Sequence, residues 1–252
     1  MSSPPVLLAH LSDLHFGGYA DLAQIEALET FLPTLGADAC AIAGDLSQRA
    51  RHGEFQAAHA FINRLRAHLP VLEIPGAIIA GALSSYGVAF GSLTWNIRDI
   101  AVKGHLPRSE TKRVTRIFSR AAPDVARVLV VHHNVLVGGL SRRMGLARWR
   151  SAQRRLLATG ADVVLCGHDH QEAAGQIDGS LAVSTSGTHS SRVRGGRPSV
   201  FNLVKIEERA VHIQHFRWEV STRRFLRSDT FSFARTARPQ VAVSVAGGDQ
   251  GP

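Results

Sequence analysis

Two cysteines in 252 residues cannot make a disulfide framework, and both Cys40 and Cys166 sit inside apolar runs, which predicts buried, reduced thiols. Long hydrophobic runs are lacking too. Val128 to Val131 and Val163 to Cys166 fall far short of the ~20 residues that a membrane helix needs. Val6 to Ala9 is short for the apolar part of a secretion signal and has no basic residue ahead of it. The expectation is a cytoplasmic chain with no membrane association. Lysine is scarce, so the formal charge of +9 is almost all arginine, clustered at Arg142-Arg143, Arg148 to Arg155 and Arg192 to Arg197. Such a surface suits phosphate-bearing partners, but an arginine bias also follows from genome composition. Neither zinc-finger spacing nor an aromatic-interleaved RNA-recognition motif accompanies it. Nucleic acid is therefore the lesser of the expected partners.

What the chain does have is 44% hydrophobic residues, enough for the core of one domain. Apolar runs alternate with amphipathic stretches: a strand Val6 to Leu11, a helix Asp21 to Leu35, a strand Ala37 to Ala43, a helix Glu54 to Leu69 and a strand Val71 to Ile74. The second helix shows Phe55, Ala58, Phe61, Ile62 and Leu65 on one face. Further on come a strand from Ala77 to Ala80, a helix from Ser109 to Ser119 with an N-cap at its start, a strand from Arg127 to Val131, a helix from Leu146 to Ala158 and a strand from Val163 to Cys166. After Gly175 the texture changes to short strands, Leu181 to Ser184, Val200 to Ile206 and Val211 to Trp218, which predicts a second, mostly antiparallel sheet packed on the first. One domain over residues 1–235 and a disordered tail over 236–252 are expected.

Four short motifs carry the chemistry, and each follows a predicted strand: Asp13-Leu14-His15, Gly44-Asp45, His132-His133-Asn134 and Gly167-His168-Asp169-His170. In open α/β sheets ligands gather at the carboxyl ends of strands, so these residues converge on one rim. Asp-x-His places a carboxylate and an imidazole on the same side of the backbone, and Gly44 and Gly167 allow close approach. Mixed carboxylate and imidazole ligands suit Mn, Fe or Zn better than Mg or Ca. His189, after Ser186-Gly187-Thr188, lies where the chain returns toward the rim, and Arg192 and Arg194 offer bidentate donors to phosphate oxygens.

Together Leu11 to His15, Ala43 to Leu46, Val131 to Asn134 and Cys166 to His170 resemble the calcineurin-like metallophosphoesterase superfamily, near the class III cyclic-nucleotide phosphodiesterase type. The resemblance runs to about Arg235. It implies an α/β fold, the four-layer α/β/β/α sandwich of the metallo-dependent phosphatases, and hydrolysis of a phosphodiester or phosphomonoester by water activated between two divalent transition metal ions. It also implies that Asp13, His15 and His170 bind one ion, that Asp45 bridges, and that His132 and His168 bind the second. His133 is a weaker candidate that, with His189 and Arg192, is expected to face a small phosphoester or nucleotide substrate.

The family carries a Gly-Asn-His-Asp/Glu motif after its third strand, but here Pro75-Gly76 is followed by Ala77-Ile78-Ile79. The Asn ligand and the general-acid His are absent, so no catalytic side chain is assigned and the second ion is expected to bind weakly. Ala77 to Tyr86 resembles the family's next strand, as though a loop and helix had been deleted. Too little chain then remains for a parallel crossover, and Ala77 to Tyr86 is expected to be poorly ordered or displaced. The alternatives are a non-catalytic metal- or nucleotide-binding protein of the same fold, or a basic nucleic-acid-associated protein or nuclease.

Overall fold

Side-chain alternation along the strands sorts the residues into layers. In β1 (Val6–Leu11), Val6 and Leu8 face one way while Ala9 and Leu11 face the other, and both sets are buried. The same holds for Val128 against Leu129 and Val131 in β4 (Ala126–His133), and for Val163 and Leu165 against Val164 and Cys166 in β5 (Val163–Gly167). Strands buried on both faces must lie between two covering layers.

The computed structural model describes residues 4–69, 74, 76–84 and 103–236. Two five-stranded mixed sheets stack face to face. The first has the order β10-β9-β8-β1-β2, where β2 is Ala39–Ile42, β8 Val200–Ile206, β9 Ala210–Glu219 and β10 Arg224–Ala234. The second has the order β3-β4-β5-β7-β6, where β3 is Ala77–Gly81, β6 Ala173–Ile177 and β7 Leu181–Thr185. Helices α1 (Leu22–Phe31) and α2 (His52–Arg66) cover the first sheet through Leu28, Phe61, Phe201 and Trp218. Helices α3 (Arg108–Phe118) and α4 (Trp149–Leu157) cover the second through Val114, Phe118 and Leu156. Between the sheets lie Leu8, Val128, Leu165, Val204 and Ile213. The layers therefore run helix, sheet, sheet, helix, as expected.

Several sequence expectations need correction. The strands after Gly175 do not form a sheet of their own. β6 and β7 complete the second sheet, while β8 pairs antiparallel with β1, so that β8, β9 and β10 extend the first. Alternation reveals that a segment is a strand, not which strand it pairs with. Phe55 does not join the apolar face of α2 but is 49% exposed, while Phe61 and Leu65 are buried. Helix α3 starts one residue early behind Pro107, whose lack of a side-chain donor or acceptor leaves no cap hydrogen bond. Ala77 to Gly81 is an ordered parallel partner of β4, from Ala77↔Ala126 to Gly81↔Val130, not a displaced segment. A turn at Gly76 (φ 81°), pinned by Ala77 N–H to Ile74 O and Ala126 N–H to Gly76 O, delivers it to the second sheet, with α3 as its crossover to β4. Most of the expected strand Val71 to Ile74, the stretch up to Tyr86 beyond Ser84, and the expected tail from 237 onward lie outside the described residues.

Two histidines inside this sandwich make it acid-sensitive. His10, on the inner face of β1, bonds Ser184 Oγ through Nδ1 (2.9 Å) and leaves Nε2 unpartnered; His189 is fully buried with neither ring nitrogen bonded. Burial, aided at His10 by the His189 ring, lowers both pKa values from 6.5 to about 3. The unfolded chain therefore binds more protons between pH 6.5 and about 3, and stability falls as pH drops through that window. The slope approaches about 1.4 kcal/mol per pH unit for each histidine. Denaturant midpoints of chelated protein are expected to fall steadily from pH 7 to pH 4.5, and less so in His189→Gln. A flat profile would contradict the burial of these rings.

Candidate metal centre

The loops after β1 and β2 continue to pair beyond the sheet: Asp13 N–H donates to Gly44 O, His15 N–H to Asp45 O and Phe16 N–H to Leu46 O. This pairing puts the first two motifs side by side. Five residues of the four motifs have left-handed backbone: Asp13 (φ 53°), His15 (47°), Asp45 (44°), His168 (73°) and His170 (56°). For non-glycine residues this costs roughly 1 kcal/mol or more apiece, and strain of this kind concentrates at functional sites. Glycine is needed alongside them. A Cβ on Gly44 would stand 2.6 Å from His132 Nδ1, and one on Gly167 would collide with Ser12 Oγ and Asp13 Oδ2.

All six expected ligands meet. Asp13, His15 and His170 form one group, and Asp13, Asp45 and His132 another; within each, one donor atom per residue lies within 4.8 Å of the others. His168 Nδ1 stands 3.2 Å from His132 Nε2 and extends the second group. Asp45 spans the two groups, with Oδ1 3.5 Å from His132 Nε2 and Oδ2 3.8 Å from His15 Nε2. Asp13 is common to both groups as well, so two carboxylates straddle the centre where the family resemblance assigned a bridge to Asp45 alone.

The surroundings aim these ligands. Ser12 Oγ (2.6 Å) and the His168 N–H (2.8 Å) donate to Asp13 Oδ2, leaving the fully buried Oδ1 without a hydrogen-bond donor. His132 Nδ1 is 3.0 Å from Ala43 O and His170 Nδ1 is 2.7 Å from Arg192 O, which turns the Nε2 atom of each toward the carboxylates. Burial by itself would raise the Asp13 carboxyl, but the nearby His170 and His132 imidazoles and Ser12 hold it well below the usual carboxylate range. Burial lowers His15 and His168. It acts on His170 too, but there Asp13 outweighs it and raises the pKa. The Nε2 atoms of His15 and His170 face each other at 3.0 Å, so in the metal-free chain one of them holds a proton. A buried anionic oxygen with no donor, ringed by imidazole nitrogens, is a place for a cation, and this donor set fits Mn, Fe or Zn.

The three expected substrate contacts behave differently. His133 Nδ1 bonds Ser84 Oγ (2.9 Å), its ring lies 4.3 Å from that of His168, and burial lowers its pKa to about 3. His189 is 0% exposed beside Phe225, and only its main-chain N–H reaches the centre, at Asp13 O (3.3 Å). Arg192 lies on the rim.

Two further residues of the motifs were not among the expected ligands or substrate contacts. Asp169 points away from its histidine neighbours and accepts from Ser141 Oγ (2.8 Å) and Gln171, with Arg194 at 3.5 Å, tying two rim loops to the ligand segment. Asn134 donates to Leu136 O (2.8 Å) and serves its own turn.

The calcineurin-like phosphoesterase family matches residues 6–172, well over half of the chain, and the protein belongs to that family. No curated protein matches it. Among solved structures, a dimetal phosphatase from Danio rerio superposes with a TM-score of 0.65 at 9% identity, covering 92% of this chain and 99% of that one. The structure of PhoD superposes with a TM-score of 0.56 at 9% identity, covering 93% and 70% respectively. At such identities these neighbours establish the fold.

Proposed function

We propose that this protein is a metal-dependent phosphoesterase that hydrolyses a small phosphodiester or phosphomonoester, of the class III cyclic-nucleotide phosphodiesterase type. The observation that carries this is the buried Asp13 Oδ1, which lacks a donor and faces His15 and His170 while Asp45 links that group to His132. Asp13, His15 and His170 would hold one divalent transition ion, His132 and His168 a second, with Asp45 between them. Bound there, such ions supply Lewis-acid polarisation of a phosphoryl oxygen and lower the pKa of water. The chain's own part is orientation: Ala43 and Arg192 carbonyls fix two imidazoles, and Ser12 with the His168 amide fixes Asp13.

Turnover is slow in this reading, because the sequence after Pro75-Gly76 lacks the family's Asn and His. His133 and His189 do not replace that His as proton donors. Both are buried, His133 already bonds Ser84, and both are neutral at pH 7. A nucleic-acid-binding reading is weaker, since part of the arginine charge is engaged internally: Arg235 pairs with buried Asp162 (3.0 Å) and Arg217 with Glu172 (3.0 Å). No helix among the described residues is long and apolar enough to cross a membrane, and a cytoplasmic location is part of this proposal. Elemental analysis of dialysed, reconstituted protein is expected to show at least one Mn, Fe or Zn per chain, with Mn²⁺-dependent cleavage of a bis-aryl phosphodiester. Absence of bound metal sinks the proposal; bound metal without turnover points to a non-catalytic member of the family.

A further inference from the structure

The loop after β1 and the loop between β7 and β8 are stitched together beside the metal centre. Ala20 and Ser190 form an antiparallel bridge, and Tyr19 O accepts from both Ser191 N–H (2.8 Å) and Ser191 Oγ (3.2 Å). A chain of hydrogen bonds runs from the centre to the same place: Thr188 Oγ1 donates to Asp13 O (2.7 Å), Thr188 and Ser190 share a hydroxyl bond (2.8 Å), and the Arg192 N–H donates to Ser190 Oγ (3.3 Å). At its end, the Arg192 guanidinium lies over the Tyr19 ring, 5.4 Å from the centroid. Both residues are exposed, and among the described residues the guanidinium has no hydrogen bond or ion pair. Its main-chain carbonyl accepts from His170 Nδ1 (2.7 Å), which seats the residue at the edge of the centre.

We propose that Arg192, seated on Tyr19, is the anion-binding arm of this site and takes a non-bridging phosphoryl oxygen of the substrate. This rests on the phosphoesterase reading above and assigns it a positive group on the rim, in a chain whose sequence lacks the family's phosphate-contacting His. An unpaired guanidinium suits that role because it is permanently charged and its planar fork can give two parallel N–H bonds to one phosphoryl group. Tyr19 is a positioning residue, limiting the side chain's freedom by a cation–π contact worth roughly 0.5–1 kcal/mol at an exposed site. The contact of Arg192 with His170 is made by its main-chain carbonyl, so the side chain can be removed without removing the group that orients the ligand.

The test is calorimetric titration of inorganic phosphate into the Mn²⁺-loaded full chain, with metal content measured in parallel. Arg192→Ala is expected to weaken phosphate binding by about 10- to 100-fold, the range for a lost charge-assisted hydrogen bond, with Arg192→Lys in between. Metal content should match the parent in each variant. Tyr19→Ala is expected to lose about two- to fivefold and Tyr19→Phe nothing, since the ring and not the hydroxyl holds the arm. The Tyr19→Ala loss should vanish in an Arg192→Ala background. Unchanged phosphate affinity in Arg192→Ala, with metal retained, overturns the arm and leaves the phosphoesterase reading standing. A parent chain that binds neither metal nor phosphate overturns both.

Discussion

Asp45→Asn is expected to lower metal occupancy at both groups while the fold survives. The choice of substituent follows from the backbone: Asp45 has φ 44°, a conformation that Asn tolerates and that strains Ala. Its side chain is 44% exposed, so removing the charge leaves no buried cavity behind. What is lost is the carboxylate whose two oxygens lie near His132 and His15. Metal content should fall to one ion or none, and turnover of a bis-aryl phosphodiester by about a hundredfold or more, because several kcal/mol of charge stabilisation depend on the ions. The melting temperature of chelated protein should stay near the parent's. If Asp45→Asn held metal like the parent, Asp13 alone would be the shared carboxylate and the assignment of Asp45 as a bridge would be wrong.

The second large effect is a gain. Inserting a family-like Gly-Asn-His-Asp segment after Pro75, together with the loop and helix that follow it in relatives, is expected to raise turnover by roughly 10²- to 10⁴-fold, the contribution of a positioned general acid. The helix is required because the present chain enters β3 straight from the Gly76 turn. Simple replacement of Ala77 by Asn and Ile78 by His would instead place polar groups on β3. There Ala77 packs toward the layer between the sheets and Ile78 toward α3 and α4, so the pair should destabilise the fold without gain. Equal turnover by the parent and a well-folded graft would show that another group already fills the role.

The legible parts of this chain are those governed by local pattern. β1 and β8 begin and end where their apolar runs do, and five of the six ligands lie just beyond their strands while His132 is the next-to-last residue of β4, so a short motif at a strand end gave both identity and place. The parts that stayed hidden depend on partners far away in sequence. β6, Ala-Ala-Gly-Gln-Ile, has little β propensity and is a strand because β7 returns beside it. β10 is an edge strand with most side chains exposed, so it shows no clean apolar alternation. His189 follows a Gly-Thr pair that reads as a rim loop, yet Phe225, contributed by β10, covers it. Tyr19 and Arg192 are 173 positions apart, and no spacing rule links them; the bridge between Ala20 and Ser190 and the bonds of Ser191 to Tyr19 O do.

The pairing of β1 with β8 sets an order of events during synthesis. Every expected ligand has left the ribosome once His170 emerges, and the family match itself ends at residue 172. Yet β1, which presents Asp13 and His15, has β2 on one side and must wait for Val200–Ile206 on the other. Thr188 and His189, which bond the Asp13 carbonyl, also arrive late. At about 5–20 residues per second the nascent chain spends some seconds with all its ligands exposed and the strand that organises them half-paired. In that interval a strand paired on one side only would hold its carboxylate and imidazole less firmly, and on the proposed reading they would be open to whichever divalent ion is most abundant or most avid. On the proposed reading, the ion such a site takes up would then depend in part on the compartment in which the last three strands close the first sheet.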